Sequence, residues 1–144
     1  MISQLKIDIP LGLAELIQQQ RELNPRDRAG RGWQSRTYTD QPFPWFDATY
    51  NAVEAEVGGI DSWWMNVNTH SEYTNWHAHH RWSKVAVLYV SVPSGDIEFR
   101  QGEGYWTETP QAGDLLVFPG SLEHQVRSNT SKDVRISVAF NFKN

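Results

Sequence analysis

From about residue 60 onward the chain keeps a period of two, and this restricts its fold more than any other feature. The pattern is clearest over residues 134–142, where Ile136, Val138, Phe140 and Phe142 alternate with Arg135, Ser137, Ala139 and Asn141. Side chains two apart on a strand share a face, so this segment is a strand with one apolar and one polar face. Shorter segments of the same kind are expected at 63–68, 97–100, 105–107, 114–118 and 123–127. Residues 85–92 are β-branched and apolar enough to be buried on both faces. Between them lie turn signals such as Pro93-Ser94-Gly95-Asp96.

The first third reads differently. Pro10 can open a helix over residues 10–23, with Leu13, Leu16, Ile17 and Leu23 as its apolar stripe and Asn24-Pro25 as its stop. Residues 26–44 read as loop, with a short strand at 34–38. Asp47 offers an N-cap to a second helix over 48–57, closed by Gly58-Gly59. Helices followed by a run of short strands imply helices packed on an antiparallel barrel or sandwich.

At 144 residues the chain is expected to form one domain, 1–144, with a real core. A net charge of −4 gives no basic footprint for nucleic acid, and the longest apolar run, 85–90, is too short to cross a bilayer. There is no cysteine, which excludes disulfide scaffolds, thiolate metal sites and cysteine nucleophiles. That absence, and an N-terminus without a charged-then-apolar signal, are compatible with the cytoplasm; a homodimer is compatible too. Seven tryptophans suit either a β-rich core or an aromatic-lined pocket.

The chemistry centres on Asn75-Trp76-His77-Ala78-His79 and on His124. On one strand His77 and His79 would project from the same face, with His80 pointing away. The run Gly113-Asp114-Leu115-Leu116-Val117-Phe118-Pro119 then brings His124 back on a neighbouring strand. Three imidazoles in facial arrangement can hold iron, zinc, copper or nickel, and spacing does not choose among them. Arg135 and Ser137 share the polar face of the last strand. An inward arginine is costly unless it meets an anion, and a guanidinium grips a carboxylate in bidentate fashion. A surface ion pair with Asp133 is the competing explanation for Arg135.

Taken in order, several elements resemble the 2-oxoglutarate- and iron(II)-dependent oxygenases of the double-stranded β-helix class. They are Gly32-Trp33-Gln34-Ser35, Asn66-Val67-Asn68, the His77-Ala78-His79 element, Tyr89, Ser94-Gly95-Asp96-Ile97-Glu98-Phe99, Gly113 to Pro119, Leu122-Glu123-His124, Asn129-Thr130 and Arg135 to Phe142. The resemblance implies a mainly β jelly roll with the N-terminal helices packed on one sheet. It implies Fe(II) held by His77, His79 and His124, and 2-oxoglutarate chelating the metal with its far carboxylate on Arg135 and Ser137. Tyr89 and Asn68 are lesser candidates for touching the co-substrate. The expected reaction is hydroxylation of a small-molecule or peptidyl substrate with release of succinate and CO2.

Two departures stand out. The class ordinarily places Asp or Glu where this chain has His79, and a neutral ligand there leaves the metal more positive. Related chains tend to have Ser-Gly-x-Tyr-Tyr where this one has Val85-Ala86-Val87-Leu88-Tyr89, so one pocket tyrosine is missing. Two rival readings use the same residues. Residues 113–124 also resemble the second motif of cupins, which could bind metal through the three histidines without 2-oxoglutarate. A non-catalytic module could instead hold a small molecule or peptide at a mouth lined by Trp64, Trp76, Trp82 and Trp106, with residues 26–36 as a lid.

Overall fold

A computed structural model describes residues 2–25, 27–28 and 32–144, with no side-chain detail at 27–28. In chain order the elements are β1 (Ser3–Lys6), α1 (Leu13–Leu23), β2 (Asp27–Arg28), β3 (Gly32–Gln34), a 3-10 turn (Pro44–Phe46) and α2 (Asp47–Val57). There follow β4 (Ile60–Asn68), β5 (Thr74–His77), β6 (Lys84–Ser91), β7 (Ile97–Gln101), β8 (Gly104–Glu108), β9 (Asp114–Pro119), β10 (Glu123–Val126) and β11 (Arg135–Phe142). The strands form two antiparallel sheets, a major one in the order β1-β9-β6-β11-β4-β3-β2 and a minor one in the order β5-β10-β7-β8. This is the expected jelly roll.

The alternation in β11 decides which side each sheet face meets. Ile136, Val138, Phe140 and Phe142 are fully buried with Leu13 and Ile17 of α1, Val53 of α2 and Phe46. Both helices therefore pack on one face of the major sheet, as the sequence implied. A second cluster, Val85, Tyr89, Phe99, Leu116 and Phe118, fills the space between the sheets. Strand β6 serves both layers, with Ala86 and Leu88 towards the helices and Val85 and Tyr89 towards the minor sheet. Burying an apolar side chain of this size stabilises the fold by about 1.5–3 kcal/mol.

Several boundaries differ from expectation for local reasons. Helix α1 starts at Leu13 behind Gly12, which takes a left-handed φ of 86°, and Leu23 of the expected stripe is exposed. Asn24 ends the helix, and its carbonyl accepts a hydrogen bond from Trp33 Nε1 at 2.7 Å. Asp47 is the first residue of α2 rather than its cap; its carboxylate is held by Gln41 instead. The short strand expected at 34–38 is β3 (Gly32–Gln34) plus an isolated bridge from Tyr38 to Trp63. Strand β1 was not expected, and its Lys6 pairs with the buried Asp114 carboxylate. No helix among the described residues is long and apolar enough to cross a membrane.

Candidate metal and co-substrate site

The polar face of β11 and the neighbouring faces of β4 and β6 look into the space between the sheets. Residues Asn66, Asn68, Tyr89, Arg135, Ser137 and Ala139 line a narrow cavity there of about 50 Å3, closed at the other end by His77, His79 and His124. Thus the structure brings together every residue predicted for the site.

His77 and His124 arrive by strand pairing. They sit opposite one another across β5 and β10, with ring centroids 4.1 Å apart. His79 arrives differently: β5 ends at His77, so His79 is placed by a loop and not by strand alternation as expected. Its backbone N–H donates to the Gly120 carbonyl at 2.7 Å, and its carbonyl accepts from Trp82 N at 3.0 Å. A Cβ at position 120 would lie 1.8 Å from the Trp82 carbonyl oxygen and 2.6 Å from that of His79. Only glycine lets these two loops close, which gives Gly120 a role the sequence reading missed. His80 is exposed and plays no part.

One ligand atom from each of His77, His79 and His124 lies within 4.8 Å of the others. Each ring is oriented through Nδ1. His77 donates to the Asn75 carbonyl at 2.8 Å, His79 to the side-chain oxygen of Asn141 at 2.8 Å, and His124 to the Leu122 carbonyl at 3.0 Å. These oxygens only accept, so each Nδ1 carries the proton and each Nε2 keeps a lone pair, the arrangement that metal-binding histidines adopt. His79 Nε2 is buried and has no hydrogen-bond partner among the described residues. Leaving a polar atom buried and unpaired costs about 1–3 kcal/mol; a metal ion would satisfy it. Burial also favours the neutral form of His124 and His79. It pushes the His124 pKa down to about 3, helped by His77 and opposed by the Leu122 bond. It lowers that of His79 too, against the Asn141 bond. The donor set therefore fits a divalent metal at neutral pH.

At the opposite end stands Arg135, 2% exposed. Its guanidinium donates to the carbonyls of Arg127 at 2.8 Å, Ser94 at 3.3 Å and Glu72 at 3.4 Å. No carboxylate among the described residues pairs with it, so the alternative of a surface pair with Asp133 is not what the chain does. The strain on the charge is evident: burial pulls its pKa down to about 10. A guanidinium has five N–H donors, and three contacts leave two unspent. Gly95 makes the room, since a Cβ there would lie 1.7 Å from Arg135 Nη1, and its φ of 99° also favours glycine. Asn129, fully buried, holds the surrounding loops: it donates to the carbonyls of Asn68 at 3.0 Å and Asp133 at 2.8 Å, and accepts from Ser94 Oγ at 2.8 Å.

Tyr89 of β6 pairs in register with Ser137 of β11, and its buried hydroxyl has no hydrogen-bond partner among the described residues. Burial raises its pKa far above the ordinary value, so it stays a neutral donor. Ser137 Oγ accepts from Asn66 Nδ2 at 3.4 Å, and Asn66 accepts in turn from Gln34 at 3.1 Å. The serine O–H is left to donate into the cavity. Asn68 stands opposite Arg135 in register. Gly32, with φ of 81°, clears space beside it: a Cβ there would be 2.5 Å from Asn68 Nδ2.

Outside the histidines a second, wider cleft of about 750 Å3 opens to solvent, with Trp64, Trp76 and Trp82 on its walls. Trp106, expected at this mouth, instead stacks on Phe99 within the inter-sheet core. Of the proposed lid, Arg26 and residues 29–31 lie outside the described residues.

Residues 97–141 match the family model described as a putative 2OG-Fe(II) oxygenase. That span contains His124, Arg135 and Ser137. The match covers less than a third of the chain. A prolyl-4-hydroxylase from Pseudomonas putida has a similar structure, with a TM-score of 0.68 at 16% identity over 99% of this chain and 92% of that one. HygX from Streptomyces hygroscopicus, solved with nickel and 2-oxoglutarate bound, gives a TM-score of 0.61 at 15% identity over 96% and 80%. An oxidoreductase of the 2OG-Fe(II) oxygenase family from Burkholderia pseudomallei gives 0.54 at 16% identity over 58% of this chain, which spans 42% of that protein. No curated protein matches the chain by sequence.

Proposed function

We propose that the protein is an Fe(II)- and 2-oxoglutarate-dependent oxygenase, acting as a single domain in the cytoplasm on a small-molecule substrate. The reaction is R–H + O2 + 2-oxoglutarate → R–OH + succinate + CO2. The observation that carries this reading is the pairing of two unmet needs at opposite ends of one cavity. Three clustered imidazoles, one with an orphaned nitrogen, face a buried guanidinium that has no carboxylate partner among the described residues. A slender dianion with a metal-chelating end and a distal carboxylate answers both.

His77, His79 and His124 would hold the iron. Bound iron and co-substrate supply the oxidising power; the protein supplies placement, charge and exclusion of water. Arg135 binds the distal carboxylate through its two free N–H groups. Tyr89 and Ser137 add hydroxyl donors from the cavity wall. Trp64 stacks on His79 with centroids 5.6 Å apart, fixing the ring from the cleft side and shielding it from water.

The decisive experiment is anaerobic titration of the Fe(II)-loaded protein with 2-oxoglutarate, followed by oxygen. A charge-transfer band on titration and succinate release afterwards are expected. A metal spectrum indifferent to 2-oxoglutarate, with no succinate formed, leaves the cupin-type reading in its place. Inability to bind any divalent metal would favour the non-catalytic module.

A further inference from the structure

We propose that the outer cleft takes a small aromatic anion, a planar ring bearing a carboxylate or comparable acidic group, as the primary substrate. The proposal rests on the oxygenase reading above and deepens it. Size comes first: a cleft of about 750 Å3 falls within the ~300–1,000 Å3 of small-molecule sites. The walls then select shape. Trp64, Trp76 and Trp82 present ring surface to the same opening, beside His77 and His79, and aromatic faces favour flat apolar groups.

Charge selects the rest. Among the described residues no aspartate or glutamate lines the cleft, whereas Arg36 does; the nearby Asp61 carboxylate is occupied by the indole N–H of Trp82 at 3.0 Å. The Arg36 guanidinium lies 4.2 Å from the centre of the Tyr38 ring, and no carboxylate among the described residues pairs with it. A second guanidinium, Arg81, lies outside the lining but 5.2 Å from the Trp82 ring, with no ion pair among the described residues. A third, Arg100, covers Trp76 at 4.2 Å but is neutralised by Glu123. A guanidinium beside a cleft without a counter-ion attracts anions and repels amines. The inner cavity, filled by 2-oxoglutarate and gated by the histidines, is a separate compartment with its own arginine.

The test is calorimetric titration of the Mn(II)-loaded protein, saturated with 2-oxoglutarate, with indole-3-acetate and with tryptamine. These share a ring and differ in charge. Acetate serves as the ring-free control. Indole-3-acetate is expected to bind at least 10-fold more tightly than tryptamine or acetate. Arg36→Gln is expected to abolish the preference, and Arg36→Lys to retain most of it. Trp76→Ala is expected to weaken indole-3-acetate and leave acetate unchanged. Equal binding of acid and amine, no binding of the acid, or an Arg36→Gln variant that still prefers the acid would overturn the proposal. So would binding lost in Arg135→Gln but kept in Arg36→Gln, since the probe would then have entered the inner cavity. Failure of 2-oxoglutarate itself to bind is a different result: it removes the oxygenase reading, and the acid–amine comparison is then made without it.

Discussion

The Nδ1 of His79 donates to the side-chain oxygen of Asn141 at 2.8 Å, and Asn141 Nδ2 donates onward to Ser62 Oγ at 3.1 Å. An amide thus orients the imidazole that stands where the oxygenase class the chain resembles ordinarily places a carboxylate. Because Asn141 belongs to β11 and pairs with both β4 and β6, a loop histidine is positioned by the sheet.

Asn141→Leu is therefore expected to lower metal affinity by about 10–100-fold, the usual effect of removing a partner that orients a metal-binding histidine. Competition with a chelating dye measures it. A variant that folds and binds Fe(II) or Co(II) as tightly as the parent would show that the contact is incidental.

Arg135→Leu separates function from stability. Charge-assisted hydrogen bonds contribute about 1.5–3 kcal/mol, so 2-oxoglutarate affinity is expected to fall by about 10–100-fold. The stability of the protein without co-substrate should change little by comparison, because removing a buried charge that lacks a carboxylate offsets the loss of its hydrogen bonds to three carbonyls. Thermal melts with and without 2-oxoglutarate check both points. If the melting temperature with co-substrate still rises as in the parent, Arg135 is not the anion site.

Gly95→Ala should act on the same arginine from behind. The methyl would meet Nη1, and φ of 99° penalises any side chain. A loss of roughly 1–3 kcal/mol is expected from the backbone alone, together with weaker 2-oxoglutarate binding. Urea unfolding gives the first quantity and calorimetry the second; a neutral substitution would contradict the packing described.

The metal-free protein should lose stability in mild acid. In the unfolded chain His124 titrates near its ordinary value of 6.5, whereas burial holds it to about 3 in the folded state. Between those values the unfolded state binds more protons, so stability is full above pH 6.5 and falls as pH drops towards 3. The slope approaches about 1.4 kcal/mol per pH unit for this one group. His79 is lowered in the same direction. Urea unfolding at several pH values between 7.5 and 4.5 should reveal the slope, and His124→Gln should flatten it. A parent profile already flat over that range would mean that His124 is not buried and neutral.

Particular residues show how far the sequence could be read. The faces of β4 and β11 were legible because a two-residue period leaves no freedom once one face is apolar: Trp63, Met65 and Val67 go to the core, and Asn66, Asn68, Arg135 and Ser137 to the cavity. Leu23 was misjudged because helical spacing gives a direction but not the extent of the surface that covers it. Trp106 was misplaced because aromatic composition does not say which layer a ring joins.

The three histidines that cluster and the arginine that is buried were thus singled out by the sequence alone, through motif order and spacing. Tertiary structure decided how they are held. Gly120 matters only because two loops distant in sequence touch there, Gly95 because a guanidinium from β11 passes through the space its side chain would occupy, and Asn141 because a loop folds back over the sheet. None of these contacts leaves a periodic trace. They depend on close approach between segments far apart in the chain, which a one-dimensional pattern does not encode.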